Sequence, residues 1–349
     1  MKCKRILSML LTLCMVMSLF AGTTVTASAA GTTEVSTWSE LQNAFTTGGE
    51  ITLAGDVTST DSTWKGVLII PEKATVTLDL AGHKIDRNMT SATSDGQVIK
   101  VSGTLIINDS VGGGTITGGN CSSGQFLAGA VCVLSGGSFT LNGGSICGNK
   151  TSESGSCGTG VAVSKNATFI MNGGSICENV GTGSSSIGGG VGADSGSTVK
   201  LLGGRIEKNT VSGSSGGGLM FYGNSVTVGG SIVIKDNMAK GKTNNVKCSG
   251  TSYSLLLSED TPLTKEAEIG WTINTYNQQP DENGTAVAKG TNAAQYVDNF
   301  FSDQDSSYII GVKANDSDTI YIATASSTVV AKPILYIPLI LVTISLRTM

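Results

Sequence analysis

The chain has 349 residues, among them 48 glycines and five prolines, with 5% aromatic and 14% charged residues and a formal net charge of −4. So much glycine and so few aromatics exclude an ordinary large core, yet the glycines follow neither a collagen G-X-Y register nor a featureless linker pattern. With no Lys/Arg cluster evident beyond the first residues, nucleic acid is excluded as an expected partner.

Lys2, Lys4 and Arg5 precede the apolar run Ile6 to Phe20, and small residues then lead to Ala27-Ser28-Ala29. A charged start, an apolar stretch and an A-x-A site read as an export signal over residues 1–30. A retained transmembrane helix fits less well, because the run is short of the ~20 residues a span needs. Removing Lys2, Lys4 and Arg5 takes the net charge from −4 to −7. The expected location is extracellular, secreted or at the cell surface. Six cysteines remain: Cys121, Cys132, Cys147, Cys157, Cys177 and Cys248. An exported chain can keep disulfides, and the lack of C-x-x-C argues against zinc or thioredoxin-like chemistry.

Trp38 to Phe45 places apolar residues at 38, 41, 44 and 45 before Gly48-Gly49, which predicts a short amphipathic helix. Glu50 to Val57, Val67 to Ile70, Ala74 to Ile85 and Val98 to Asn108 then alternate or run apolar in strand-length pieces.

A repeat follows. Phe139-Thr-Leu-Asn-Gly-Gly-Ser-Ile-Cys-Gly-Asn149 recurs as Phe169-Ile-Met-Asn-Gly-Gly-Ser-Ile-Cys-Glu-Asn179 and as Val199-Lys-Leu-Leu-Gly-Gly-Arg-Ile-Glu-Lys-Asn209, thirty residues apart. Ile116, Ile146, Ile176 and Ile206 share one phase of it, and Asn149, Asn179 and Asn209 another, with a shortened copy ending at Asn237. Ala130–Val133, Gly160–Val163, Gly190–Ala193 and Gly218–Phe221 supply a further strand per period. A helical reading fails, since each Gly costs a helix roughly 1 kcal/mol.

Three short strands per period predict an all-β fold, a right-handed parallel β-helix solenoid with about 30 residues per coil. The short N-terminal helix caps its first edge. Like residues then stack about 4.8 Å apart: the isoleucines as an inward ladder, Phe139 on Phe169, and the asparagines at a corner where they adopt αL and bond neighbouring amides. The glycine pairs 143–144, 173–174 and 203–204 mark corners of positive φ. Gly241-Lys242-Thr243 mimics the end of a phosphate-binding loop, but Asp236 stands where its first glycine belongs.

After Asn245 the period dissolves. The domain reading is an export signal at 1–30, the β-helix with its cap at 31–250, final coils or a β-rich C-terminal cap at 251–325, and an apolar tail at 326–349. The tail reads equally as a weak membrane anchor or as the ragged end of a longer protein.

Thr77-Leu-Asp-Leu-Ala-Gly-His-Lys-Ile85, the turn Gly112 to Gly119 and the Asn-Gly-Gly-Ser-Ile repeats resemble the right-handed β-helix repeat proteins of pectin-lyase-like fold that Gram-positive bacteria secrete or display. Lys240 to Val246 resembles the stretch ending their regular array. The resemblance spans roughly residues 36 to 325. It implies an adhesin-like surface protein, of a group that often carries sugar-binding or anchoring modules and mostly has no assigned activity. No Leu-Pro-x-Thr-Gly signal precedes the tail, so covalent wall attachment is not expected.

Lyases and hydrolases share this fold, but fold alone does not set function. Their chemistry needs converging carboxylates. Between Gly118 and Asp236 the acids Glu153, Glu178, Asp194, Glu207 and Asp236 never stack directly in the thirty-residue register. Asp79, Asp86, Asp95 and Asp109 lie in earlier coils, where Asp86-Arg87 is the one pair that could be cast as catalytic. His83 is read as structural, Glu178 and Lys208 as an exposed ion pair, and Arg205 as standing alone among serines. Cys147 and Cys177 fall at equivalent outward positions, where a disulfide or two free thiols are open.

The favoured function is a non-catalytic scaffold, monomeric and without cofactor or metal. Its long faces, or its loops at 151–158 and 181–188, would contact extracellular glycans or surface proteins. An acidic-polysaccharide lyase or hydrolase is the alternative.

Overall fold

The computed structural model describes residues 31–124, 126–155, 157–223, 226–250, 252–273, 284–304, 306–324 and 329. Residues 1–30, where an export signal is expected, lie outside them, as does the apolar tail except Val329. The described residues from Thr33 to Thr324 form an all-β parallel solenoid of about eight coils. Among the described residues no helix is long and apolar enough to cross a membrane.

A regular coil carries four strands, one more than the repeat suggests. In one coil these are Val131–Val133 on face A, Ser138–Leu141 on face B, Ser145–Cys147 on face C and the two-residue Lys150–Thr151 on face D. Each pairs in parallel with its counterpart thirty residues on: Val131 with Val161, Phe139 with Phe169, Ile146 with Ile176, and Lys150 with Val180.

The inward column of face C is longer than the repeat predicts, running Val57, Ile85, Ile116, Ile146, Ile176, Ile206, Ile234 and Ile269 in unbroken register. All are buried, each contributing on the order of 1.5 to 3 kcal/mol. On face B the rings of Phe139 and Phe169 stack 5.1 Å apart. The corner between faces B and C explains one of the recurrent glycines. Gly174 has φ +76, and a Cβ there would sit 2.5 Å from the carbonyl oxygen of Gly144 in the coil below.

Helix α1 (Trp38–Thr47) occupies the N-terminal end. Thr37 and Glu40 form a reciprocal capping box, and Trp38, Leu41 and Phe45 are buried. Gln42 Nε2 donates to the Val67 carbonyl at 3.4 Å, which ties α1 to Leu68–Ile70, the outermost strand of face A.

The Ser/Gly excursions do not project freely. They fold back over the outer side of face A and stack on one another. Cys157, Ile187 and Ser215 form successive parallel bridges, and the Thr182 N–H donates to the Thr151 carbonyl at 2.7 Å. Face A is consequently buried on both sides, so that Cys132, Ala162 and Met220 are covered although they point away from the core. Among the described residues of these loops the tips, such as Ser152 to Ser154, stay exposed.

At the far end, Glu268–Trp271 pairs with face C through Ile234–Ile269 and with face A through Val246–Trp271, joining the two sheets. Face B ends in the antiparallel strands Tyr308–Lys313 and Asp316–Thr324.

Candidate functional site: a basic cleft at the end of an asparagine ladder

The early-coil acids serve the turns. Asp79 Oδ1 accepts the N–H groups of Ala81 and Ser110, both at 2.9 Å. Asp109 accepts those of Gly82 and Gly114, both at 2.8 Å. Asp86 accepts from Asn88 at 2.8 Å and meets Lys84 at 3.2 Å, and Asp95 pairs with Lys100 at 2.8 Å. Burial pushes the Asp79 carboxyl upward, but its hydrogen bonds from Ser110 and Ala81 outweigh that and hold it below its ordinary value.

Arg87, cast above as the partner of Asp86, points elsewhere. It is 1% exposed, and its guanidinium donates to Ser59 Oγ at 3.1 Å, to the Thr63 carbonyl at 2.6 Å and to the Asp61 carbonyl, clamping the 59–66 loop. His83 Nδ1 lies 3.6 Å from Asp56. Among the described residues no three His, Cys, Asp or Glu side chains gather as metal ligands would.

Two smaller expectations are corrected. Arg205 is not alone, for its guanidinium pairs with Glu207 at 2.9 Å. Glu178 and Lys208 form no ion pair among the described residues; both have positive φ, 54° and 57°.

Cys147 and Cys177 are in register on face C, their Cα atoms 4.7 Å apart, and are joined as a disulfide between adjacent coils. Cys121, Cys132 and Cys157 are buried free thiols, and Cys248 is buried as well, its Sγ donating to the Gly250 carbonyl at 2.9 Å. Burial pushes the Cys132 thiol up to about 12, unsuited to a thiolate nucleophile.

The asparagines do stack, but with one correction. Positive φ falls on the preceding residue in each coil, at Gly148, Glu178, Lys208 and Asp236, and not on the asparagine. That kink turns the asparagine inward. Asn149, Asn179, Asn209 and Asn237 are all buried. Nδ2 of Asn149, Asn179, Asn209 and Asn237 donates to Oδ1 of the next asparagine at 3.0, 2.9, 3.0 and 3.1 Å, the last being Asn245. The same oxygens accept the backbone N–H of the preceding member. Each Nδ2 also donates to an isoleucine carbonyl of the coil below.

The ladder ends on an acid. Asp303 accepts the Asn245 N–H at 2.6 Å, Asn245 Nδ2 at 2.5 Å and the Thr272 hydroxyl at 2.5 Å. A carboxylate has no proton to pass on, so it terminates a chain of aligned donors. Burial pushes the Asp303 carboxyl above its ordinary range, against the pull of these hydrogen bonds.

Beside this last rung lies a cleft of about 470 Å³. A two-residue hairpin turn forms its rim, where Lys240 and Gly241 have φ 50° and 71° and join Met238–Ala239 to the antiparallel Lys242–Thr243. Face D stops here. The hairpin stands where another coil of the loop layer would have covered the outward column of face A, and the next member of that column, Lys247, therefore lines the cleft. Lys247 is 5% exposed; its ammonium donates to the Ser214 carbonyl at 3.4 Å, and burial pulls it below the usual lysine value. Lys240, Lys242, Asn244, Asp303 and Gln304 complete the polar wall. None of the three lysines forms an ion pair among the described residues.

This site was not expected, and the chain does carry a lysine cluster beyond its first residues. Lys235, Lys240, Lys242 and Lys247 fall within thirteen residues, a density visible in the stretch taken only as the end of the array.

Fold and ladder together define a parallel β-solenoid protein with a buried asparagine spine. No family model, no curated protein and no solved structure matches the chain.

Proposed function

We propose that the protein is a non-catalytic scaffold, secreted or displayed at a bacterial surface in the manner of the pectin-lyase-like adhesins it resembles, and that it binds extracellular glycans. The observation that carries this reading is the employment of the early-coil acids. Asp79 and Asp109 hold turn amides, Asp86 and Asp95 sit against lysines, and Arg87 clamps a loop. Cleavage of an acidic polysaccharide needs two or more carboxylates over one groove, or acids around a cation with a free base. The cleft instead offers three cations and one carboxylate already committed to the ladder.

The test is a glycan-array screen of the purified full-length protein beside a turnover assay on pectins and other uronic-acid polymers. Binding without new unsaturated or reducing ends is the expected result. Turnover that disappears in Asp86→Asn would replace the scaffold with a lyase or hydrolase.

A further inference from the structure

We infer that the cleft beside Asp303 is an anion subsite for a single carboxylate or sulfate group carried on a short saccharide, with Lys247 as its inner contact and Lys240 and Lys242 at the rim. This rests on the glycan-binding reading and names the ligand class.

Charge is the first argument. The oxygens of Asp303 face the Asn245 amides and the Thr272 hydroxyl, so the ladder and not the lysines satisfies that carboxylate. Three ammonium groups are left around one cavity in a chain that is otherwise acidic.

Burial is the second. An ammonium held away from water is costly unless an opposite charge or several acceptors meet it, and Lys247 has one carbonyl at 3.4 Å. An arriving anion would supply the missing partner. Its gain is largest at Lys247 and smaller at the exposed Lys240 and Lys242, where water competes.

Size and number fix the class. A cleft of about 470 Å³ falls within the span of small-ligand sites. Three lysines at one cavity of an acidic chain do not make the basic stripe that follows a nucleic-acid backbone. The Thr243 hydroxyl is suited to a sugar hydroxyl, and the amides of Asn244 and Gln304, whose oxygens already accept the N–H groups of Gly216 and Ile273, offer their NH2 groups as donors. The ligand is thus an isolated acidic sugar or a chain end.

The experiment is calorimetric titration of the full-length protein with a uronate disaccharide, a sulfated disaccharide and the neutral parent sugar. At least one acidic sugar should bind ten-fold or more tightly than the neutral one, and the arm that binds names carboxylate or sulfate. Lys247→Met should weaken that binding at least ten-fold, Lys240→Gln/Lys242→Gln three- to ten-fold, and Lys165→Gln not at all. Added salt should weaken it throughout. The double variant alters only exposed hairpin positions, so it remains informative if Lys247→Met unfolds. Equal binding of neutral and acidic sugars, no binding of either acid, or unchanged affinity in the double variant overturns the cleft assignment. If the array still shows glycan binding, the scaffold reading survives that failure; turnover of a uronic-acid polymer would remove the scaffold reading itself.

Discussion

Asn245 and Asp303 lie 58 residues apart in the chain, yet the amide nitrogen of one donates to the carboxylate of the other at 2.5 Å. The contact binds the last regular coil to the C-terminal segment. Asp303→Ala leaves the Asn245 amides and the Thr272 hydroxyl without their acceptor, and a loss of about 2 to 4 kcal/mol is expected in urea denaturation.

The same residue sets a pH dependence. A buried carboxyl raised above 3.8 binds its proton more tightly folded than unfolded. Its contribution to stability is therefore full below that value and is lost as pH rises through the raised one. Denaturation from pH 3 to 7 should show the stability of wild type falling relative to Asp303→Asn as pH increases. A constant difference would show that Asp303 does not titrate in this way.

Two asparagine rows give an internal comparison. Asn179→Ala removes the acceptor for both amide groups of Asn149 and a donor to Ile146, so a loss of about 3 kcal/mol or more is expected. Asn142 belongs to an exposed row in which Asn172 and Asn142 donate along face B at 2.8 Å. Asn142→Ala should cost less than about 1 kcal/mol, because water replaces the lost partners. Thermal or urea unfolding of both variants measures the contrast.

Arg87→Met should open one loop and leave the regular coils intact. Ser59, Asp61 and Thr63 lose their shared donor, and a loss of about 1 to 3 kcal/mol is expected. Hydrogen exchange should quicken across residues 59–66 and stay unchanged at Ile146 and Ile176.

The solenoid was legible because identical residues recur at constant spacing, and Ile116, Ile146, Ile176 and Ile206 can meet only if coils stack. The capping helix was legible from its apolar spacing, although its N-terminal box at Thr37 and Glu40 went unread. The αL corner was misplaced by one residue because Gly, Glu, Lys and Asp share that position and display no common signature. Asp303 lies outside the repeat, and nothing periodic links it to Asn245. The cleft was hidden for a similar reason: Ser214, Lys247, Thr272 and Gln304 come from different coils, and only the ending of face D brings them together.

Coil-on-coil register is tested most directly by mapping the disulfides of the protein exported into an oxidising compartment, by mass spectrometry of unreduced peptides. Cys147 and Cys177 meet only when strands thirty residues apart lie side by side, with Cα atoms 4.7 Å apart. The expected result is a linked pair of peptides carrying Cys147 and Cys177, with neither joined to Cys121, Cys132, Cys157 or Cys248. Linkage of Cys147 to any of those four would contradict the stacking on which the ladder and the cleft depend.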